Sequence, residues 1–130
     1  MIDYLPKDQM SVLLSAATVA TSFFIDLPEM ENNSANKFFD ALAAGRPIMI
    51  NYGGWQADLL RETKAGLVVP ADDPRTAASQ LNTLISDQAA LRKMCVASKH
   101  LAFRFDVETC FNQFAKSIDT AYDIHQNKIL

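Results

Sequence analysis

The side chains best suited to chemistry in this sequence lie between Glu31 and Asp40, in the stretch ENNSANKFFD. If the chain is helical from about Ser34 to Ala44, Lys37 precedes Asp40 by three residues and both project from the same side. The backbone N–H groups at the start of such a helix, together with the helix dipole, form a site for an anion such as a diphosphate. Lys37 could add a positive charge to that site, and Asp40 could accept hydrogen bonds from ribose hydroxyls.

The same helix also has a purely structural interpretation. A Lys and an Asp three residues apart are often a solvated surface pair that stabilises the helix by roughly a few tenths of a kcal/mol. Asn33 and Ser34 are ordinary helix caps. Trp55, beside the Gly pair at 53–54, is expected to be a packing anchor, with stacking on a nucleobase as the alternative. Taken alone, the helix favours the structural interpretation.

The elements that must position these side chains alternate along the chain. Apolar runs predict strands at 1–5, 18–24, 47–51 and 66–70. Helical spacing predicts helices at about 6–17, 34–44, 55–64, 74–86, 87–103 and 107–127. The helix at 34–44 is expected to stop at Gly45 and to pack its apolar side, which includes Phe38, Leu42 and Ala43, on the sheet. Strands that are apolar throughout and separated by helices indicate βαβ units. The predicted fold class is therefore α/β, with a Rossmann-like parallel sheet of about four strands flanked by helices and long helices at the C-terminus.

Composition limits the partners and the compartment of the protein. The 130 residues are enough for one domain, and 49% hydrophobic with 21% charged residues is close to globular averages. A net charge of −3 and a pI of about 5.2 argue against a nucleic-acid partner. Two cysteines, Cys95 and Cys110, without a secretory signal favour reduced thiols and a cytoplasmic location. No apolar run approaches the roughly 18 residues of a membrane span.

Several short motifs follow the helix in a fixed order. An acid is followed by Ala-x-Ala-x-Gly-x-Pro, a strand, Gly-Gly, a short helix and Gly-Leu-x-Val-Pro with an acid after it. The residues that carry the pattern are Asp40, Ala41, Ala43, Gly45, Pro47, Gly53, Gly54, Gly66, Leu67, Val69, Pro70 and Asp73. In this order of motifs the chain, from about Met1 to Tyr122, resembles the nucleotide-sugar-binding C-terminal domain of retaining GT-B glycosyltransferases of the group 1 type. That family builds bacterial polysaccharides.

The resemblance implies a site for a nucleotide-diphospho-sugar donor and no separate cofactor. The residues that it places against the donor sugar and the diphosphate are Glu31, Asn32, Asn33, Ser34, Asn36 and Lys37, and it places Asp40 on the ribose. It assigns no metal ligand and no certain catalytic residue. The family's loop acid corresponds here to Asn32, with Glu31 one residue earlier, so either side chain could contact the sugar. The family's acid after the Gly pair is replaced by Gln56 or Ala57.

The resemblance also implies missing parts. Residues 1–130 correspond to a partial C-terminal domain, because the family's N-terminal acceptor domain and the first two βα units have no counterpart here. The chain is therefore expected to be a fragment, a split subunit or a gene remnant that is inactive by itself. Its expected partners are a nucleotide sugar and the missing domain or a second subunit, and exposed sheet edges favour a homodimer. Peripheral membrane contact is expected only in the parent enzyme.

Two other functions stay open at this point. One is half of a nucleotide-sugar 2-epimerase, which shares the superfamily but needs catalytic acids and a His from regions absent in this sequence. The other is a non-catalytic α/β interaction module that has kept the fold and lost the site. Binding of a nucleotide separates the glycosyltransferase interpretation from the interaction module.

Overall fold

The computed structural model describes residues 5–127, which form three short strands and six helices. The strands are β1 (Ala20–Ser22), β2 (Ile48–Ile50) and β3 (Gly66–Val68). The helices are α1 (Lys7–Ala16), α2 (Asn36–Ala43), α3 (Gly54–Thr63), α4 (Pro74–Ser86), α5 (Gln88–Ala102) and α6 (Val107–Asn127). Two 3₁₀ turns, Pro28–Asn32 and Phe103–Phe105, precede α2 and α6. The prediction of an α/β fold is confirmed.

The strands form a parallel sheet in the order β1-β2-β3. Ala20 lies opposite Ile48, and Ile48 lies opposite Gly66. The connections between neighbouring strands contain α2 and α3, as expected for βαβ units. The described part of the sheet has three strands where about four were predicted. The predicted strand at 1–5 lies outside the described residues, apart from Leu5, which is not in a strand.

The end of β1 is held by a side chain instead of by further strand pairing. The Asn51 side chain accepts a hydrogen bond from the Phe24 N–H at 2.9 Å and donates one to the Phe24 carbonyl at 2.8 Å. Both polar groups of the Phe24 backbone are therefore satisfied without a partner strand. Because Asn51 directly follows β2, its amide clamps the chain after β1 to the end of β2. This is why β1 is shorter than the predicted strand at 18–24.

Two apolar clusters cover opposite faces of the sheet, since successive side chains of β2 alternate between them. On one face α2, α3 and α5 pack on the strands. Their largest fully buried side chains are Phe38, Leu42, Leu60 and Leu101, which meet Ile48 and Ile50 of β2. On the other face α4 covers the smaller cluster of Met49, Val69 and Ala77. The larger cluster fixes α2, the helix that carries the candidate site.

The start of α2 differs from the prediction. The helix begins at Asn36, not Ser34, and Ala35 occupies the N-cap position. The expectation that Asn33 or Ser34 caps the helix is wrong, because no side chain forms a capping hydrogen bond there. Ala43, which was expected on the sheet-facing side, is exposed. The chain enters α2 from a tight 3₁₀ turn that ends at Asn32, three residues before the N-cap position.

The end of α2 follows the prediction that Gly45 terminates the helix. Gly45 has a φ of +65°, a left-handed conformation that glycine adopts at little cost. Its N–H donates to the Leu42 carbonyl at 2.8 Å, and the Arg46 N–H donates to the Ala41 carbonyl at 2.9 Å. This pair of hydrogen bonds is a Schellman motif, which satisfies the last carbonyls and directs the chain into β2.

We expect Asn51→Ala to lower the free energy of unfolding by about 1–3 kcal/mol, because it leaves two part-buried backbone groups of Phe24 unpaired. Urea unfolding followed by circular dichroism measures the change. Asn82→Ala is the matched control, since Asn82 is exposed on α4 and should change stability by less than about 0.5 kcal/mol. Equal stability of the Asn51→Ala variant and the wild type would contradict the clamp.

Candidate functional site

The candidate site is the segment that connects the first 3₁₀ turn to α2. Pro28 begins the turn, which suits proline because its fixed φ is pre-organised for a helical start. Most of the predicted site residues are exposed: Glu31, Asn32, Ser34, Asn36 and Lys37. Asn33 and Asp40 are half-buried. The structure thus places all seven predicted residues in the turn, in the segment between the turn and α2, or on α2 itself, and the apolar core holds α2 in position.

The Gly pair before α3 lets the 3₁₀ turn approach the sheet edge. A Cβ atom built on Gly54 would lie 1.9 Å from the Glu31 carbonyl oxygen, so only glycine permits this contact. The φ of Gly54 is +78°, which also favours glycine. A Cβ on Gly53 would lie 3.0 Å from the Glu31 carboxylate. The turn therefore rests directly on the backbone at the start of α3.

The position of Glu31 gives its side chain a role that the sequence did not indicate. Its carboxylate lies beside Gly53, the N-cap residue of α3, where the positive end of the helix dipole favours a negative charge. The resemblance assigned Glu31 or Asn32 to the donor sugar. Of these two side chains, Glu31 is the one whose carboxylate also contacts Gly53 at the start of α3. The sequence signal for this contact was the Gly pair itself, which marks a place of close backbone approach.

The start of α2 presents hydrogen-bond donors that lack protein acceptors. Within residues 5–127, the backbone N–H groups of Asn36 and Lys37 donate no hydrogen bond, and no side chain caps them. The side-chain nitrogen of Asn33 is buried, and it likewise has no acceptor in the described part of the chain. We call the two backbone donors, together with the Lys37 ammonium group, the amide site. Since every group in it donates, its chemistry suits an anion.

Asp40 lies one helical turn after the amide site and faces two grooves. One groove, of about 340 Å³, runs between α1 and α2, and Lys7 lines its far side. The other, of about 350 Å³, runs between α2 and the end of α5, where Lys99 and Asp106 lie. Among the described residues, Asp40 forms no ion pair with either lysine. Its carboxylate is therefore free to accept hydrogen bonds from a ligand that occupies either groove.

A buried polar group lies after β2, at the carboxyl edge of the sheet. The Tyr52 hydroxyl donates a hydrogen bond to Gln56 Oε1 at 2.8 Å, and Gln56 and Ala57 are both fully buried. Burial raises the pKa of the Tyr52 phenol, and the neighbouring Ser22 hydroxyl offsets part of this rise. Gln56 and Ala57, which stand where the resemblance would place an acid, are therefore part of the protein interior. Neither is available to a ligand at the surface.

Trp55 packs among aromatic side chains, as expected for a packing anchor. Its ring centroid lies 6.0 Å from that of Phe38, 6.1 Å from that of Phe39 and 6.2 Å from that of Phe105. These contacts join α2, the start of α3 and the second 3₁₀ turn. The aromatic cluster stiffens the side of α2 that faces away from the amide site, so that the helix start keeps its position.

The surroundings of the site and the comparisons with known proteins complete the description. Residues 5–127 contain no group of three or more His, Cys, Asp or Glu side chains that could hold a metal ion. In the same range, no helix combines the length and apolar character needed to cross a membrane. No protein-family model matches the chain, and a search of curated proteins found no match.

We expect Gly54→Ala to lower the free energy of unfolding by more than about 2 kcal/mol, because the new methyl group meets the Glu31 carbonyl and the φ is strained. Gly45→Ala is the matched control. Gly45 has a similar positive φ, but its Cβ would make only ordinary contacts of 3.8 Å or more, so about 1 kcal/mol is expected. Chemical unfolding of both variants measures the difference. Equal losses would show that the Glu31 contact does not constrain the turn.

Proposed function

We propose that the chain is the nucleotide-diphospho-sugar-binding part of a retaining glycosyltransferase that builds bacterial cell-surface polysaccharide or glycoconjugate. Two features support the proposal: the ordered motifs of the sequence, and a parallel βαβ arrangement with its polar loop before α2. In this proposal the three strands belong to a Rossmann-like sheet of a GT-B C-terminal domain. The location is cytoplasmic, where nucleotide sugars are made.

The amide site is the single observation on which the proposal depends most. Within the described residues, the backbone amides of Asn36 and Lys37 at the helix start have no acceptor, and the Lys37 side chain on the same turn is exposed. A diphosphate carries enough acceptor oxygens to pair with these amides and with the Lys37 ammonium group.

The ribose of the nucleotide would lie against Asp40. Asp40 follows Lys37 by three residues, so both face the same side of α2 about one turn apart. A carboxylate can accept hydrogen bonds from both ribose hydroxyls. Asp is one methylene shorter than the family's Glu at this position, and the ribose would therefore approach α2 more closely.

The proposed chemistry is transfer of a sugar with retention of its anomeric configuration. The transition state has oxocarbenium character, and the departing diphosphate gains negative charge. Oriented amide N–H groups and the Lys37 ammonium stabilise that charge as it develops. An acceptor must be held by another domain, so the chain is expected to bind the donor and to transfer the sugar only together with that partner.

Nucleotide binding tests the proposal by isothermal titration calorimetry with UDP, GDP and their sugars. For the nucleotide that binds, Lys37→Gln should lower the affinity for the nucleoside diphosphate about tenfold and the affinity for the monophosphate much less, because Lys37 faces the second phosphate. Asp40→Ala should lower the affinity for the nucleoside diphosphate and for the monophosphate equally, by about tenfold, because both nucleotides carry the ribose. With the 2′,3′-dideoxy nucleotide the effect of Asp40→Ala should disappear.

Two matched substitutions control for charge. Asp119→Ala and Lys93→Gln remove the same groups from exposed positions on α6 and α5, and neither should change the affinity. No heat with any nucleotide, in folded protein, would overturn the proposal and favour a non-catalytic interaction module. Affinity that is unchanged by Asp40→Ala would remove Asp40 from the site.

A further inference from the structure

The last helix, α6, exposes a continuous apolar stripe. The stripe consists of Val107, Phe111, Phe114, Ile118 and Tyr122, which are between 52% and 86% exposed. In the described part of the chain, α6 packs chiefly against the 3₁₀ turn Phe103–Phe105 at its own start. The helix therefore extends its apolar side beyond the domain core without a partner there. Exposed apolar patches of this kind mark interaction surfaces.

The spacing of the stripe is that of a coiled-coil seam. Val107, Phe111, Phe114 and Ile118 are separated by four, three and four residues, which follows the 3.5-residue repeat at which two helices interlock. Ala121, also exposed, continues the repeat seven residues after Phe114. The expected occupant of the stripe is accordingly another amphipathic helix.

Charge on α6 argues against a membrane surface as the occupant. The described part of the helix carries three acidic residues, Glu108, Asp119 and Asp123, and one lysine, Lys116. Helices that lie on anionic membranes are rich in Lys and Arg on the polar face. The negative balance of α6 would oppose such binding.

We propose that α6 pairs with α6 of a second copy of this chain, in antiparallel orientation. In the register that centres on Lys116, Phe114 lies opposite Ile118 of the second copy, and Phe111 lies opposite Ala121. Each large ring thus meets a smaller side chain, and both copies make the same contacts, as a two-fold interface requires. In the antiparallel arrangement the positive end of each helix dipole lies beside the negative end of the other, which is electrostatically favourable.

The area of the stripe is adequate for such a pair. Burial of its five side chains removes on the order of 600 Å² from water on each copy, against roughly 800 Å² per partner in a standard interface. Ile124, which is also more than half exposed, can supply part of the rest. This interface lies on α6, not at the sheet edge from which the sequence predicted a homodimer, and it is independent of nucleotide binding.

The oligomeric state of the full chain tests the proposal first. Sedimentation equilibrium over a range of concentrations should show a monomer–dimer equilibrium. Phe114→Asp should weaken the dimer at least a hundredfold, because it buries a charge in the seam. Gln113→Asp, next to it on the polar side of α6, adds the same charge and should leave the dimer unchanged. A wild-type monomer at every concentration, or a dimer that Phe114→Asp does not affect, overturns the proposal.

Cross-linking tests the orientation and needs no change in the seam itself. In a background of Cys95→Ser and Cys110→Ser, a short bis-maleimide should join two copies of Ala115→Cys, which lies beside the two-fold axis. Glu108→Cys is the control: in the antiparallel register its two copies are separated by about 20 Å along the helices, so it should stay uncoupled. Coupling of both variants would indicate a parallel pair and overturn the antiparallel arrangement. Coupling of neither would overturn the interface.

Discussion

The approach of the Glu31 backbone to Gly54 is the constraint on which the candidate site depends. The contact is possible only because position 54 lacks a side chain and has a positive φ. It fixes the end of the 3₁₀ turn on the start of α3. The three residues from Asn33 to Ala35 must then cover the remaining path to α2. Along this path neither Asn33 nor Ser34 caps the helix, and the amides of Asn36 and Lys37 have no acceptor in residues 5–127.

The same helix connects the apolar core to the candidate site. Phe38 and Leu42 are completely buried against β2 and α5, so α2 can neither rotate nor slide without opening a cavity. This packing determines where Lys37 and Asp40 lie. A site on the first turn of a well-packed helix is pre-organised, because the donors keep their orientation whether or not an anion is present. The proposed binding of a diphosphate depends on this rigidity.

Residue types and local spacing were enough to predict much of the structure. Pro74–Ser86 and Val107–Asn127 are helices with the predicted bounds, and Gly45 ends α2 as its conformational freedom suggested. Three of the predicted strands are present but shorter, since a continuous apolar run does not reveal where pairing stops. The cap of α2 was wrongly predicted, because the preference of Asn and Ser for that position was overridden by the path of the preceding turn. Sequence also gathered the candidate side chains into one segment, although their roles stay predictions.

The sequence by itself determined which segments are helical or extended and which polar residues share one side of α2. Those properties arise from periodicity, helix-ending glycines and prolines, which act over a few neighbouring residues. Only the tertiary structure decided that Asn51 satisfies the backbone of Phe24, that Gln56 turns inward to Tyr52 and that Glu31 rests on Gly54. The first and last of these contacts join residues more than twenty positions apart, and the direction of Gln56 depends on how α3 packs on the sheet. The local pattern does not identify the partner in any of these pairings, because the contacts exist only once the chain has packed.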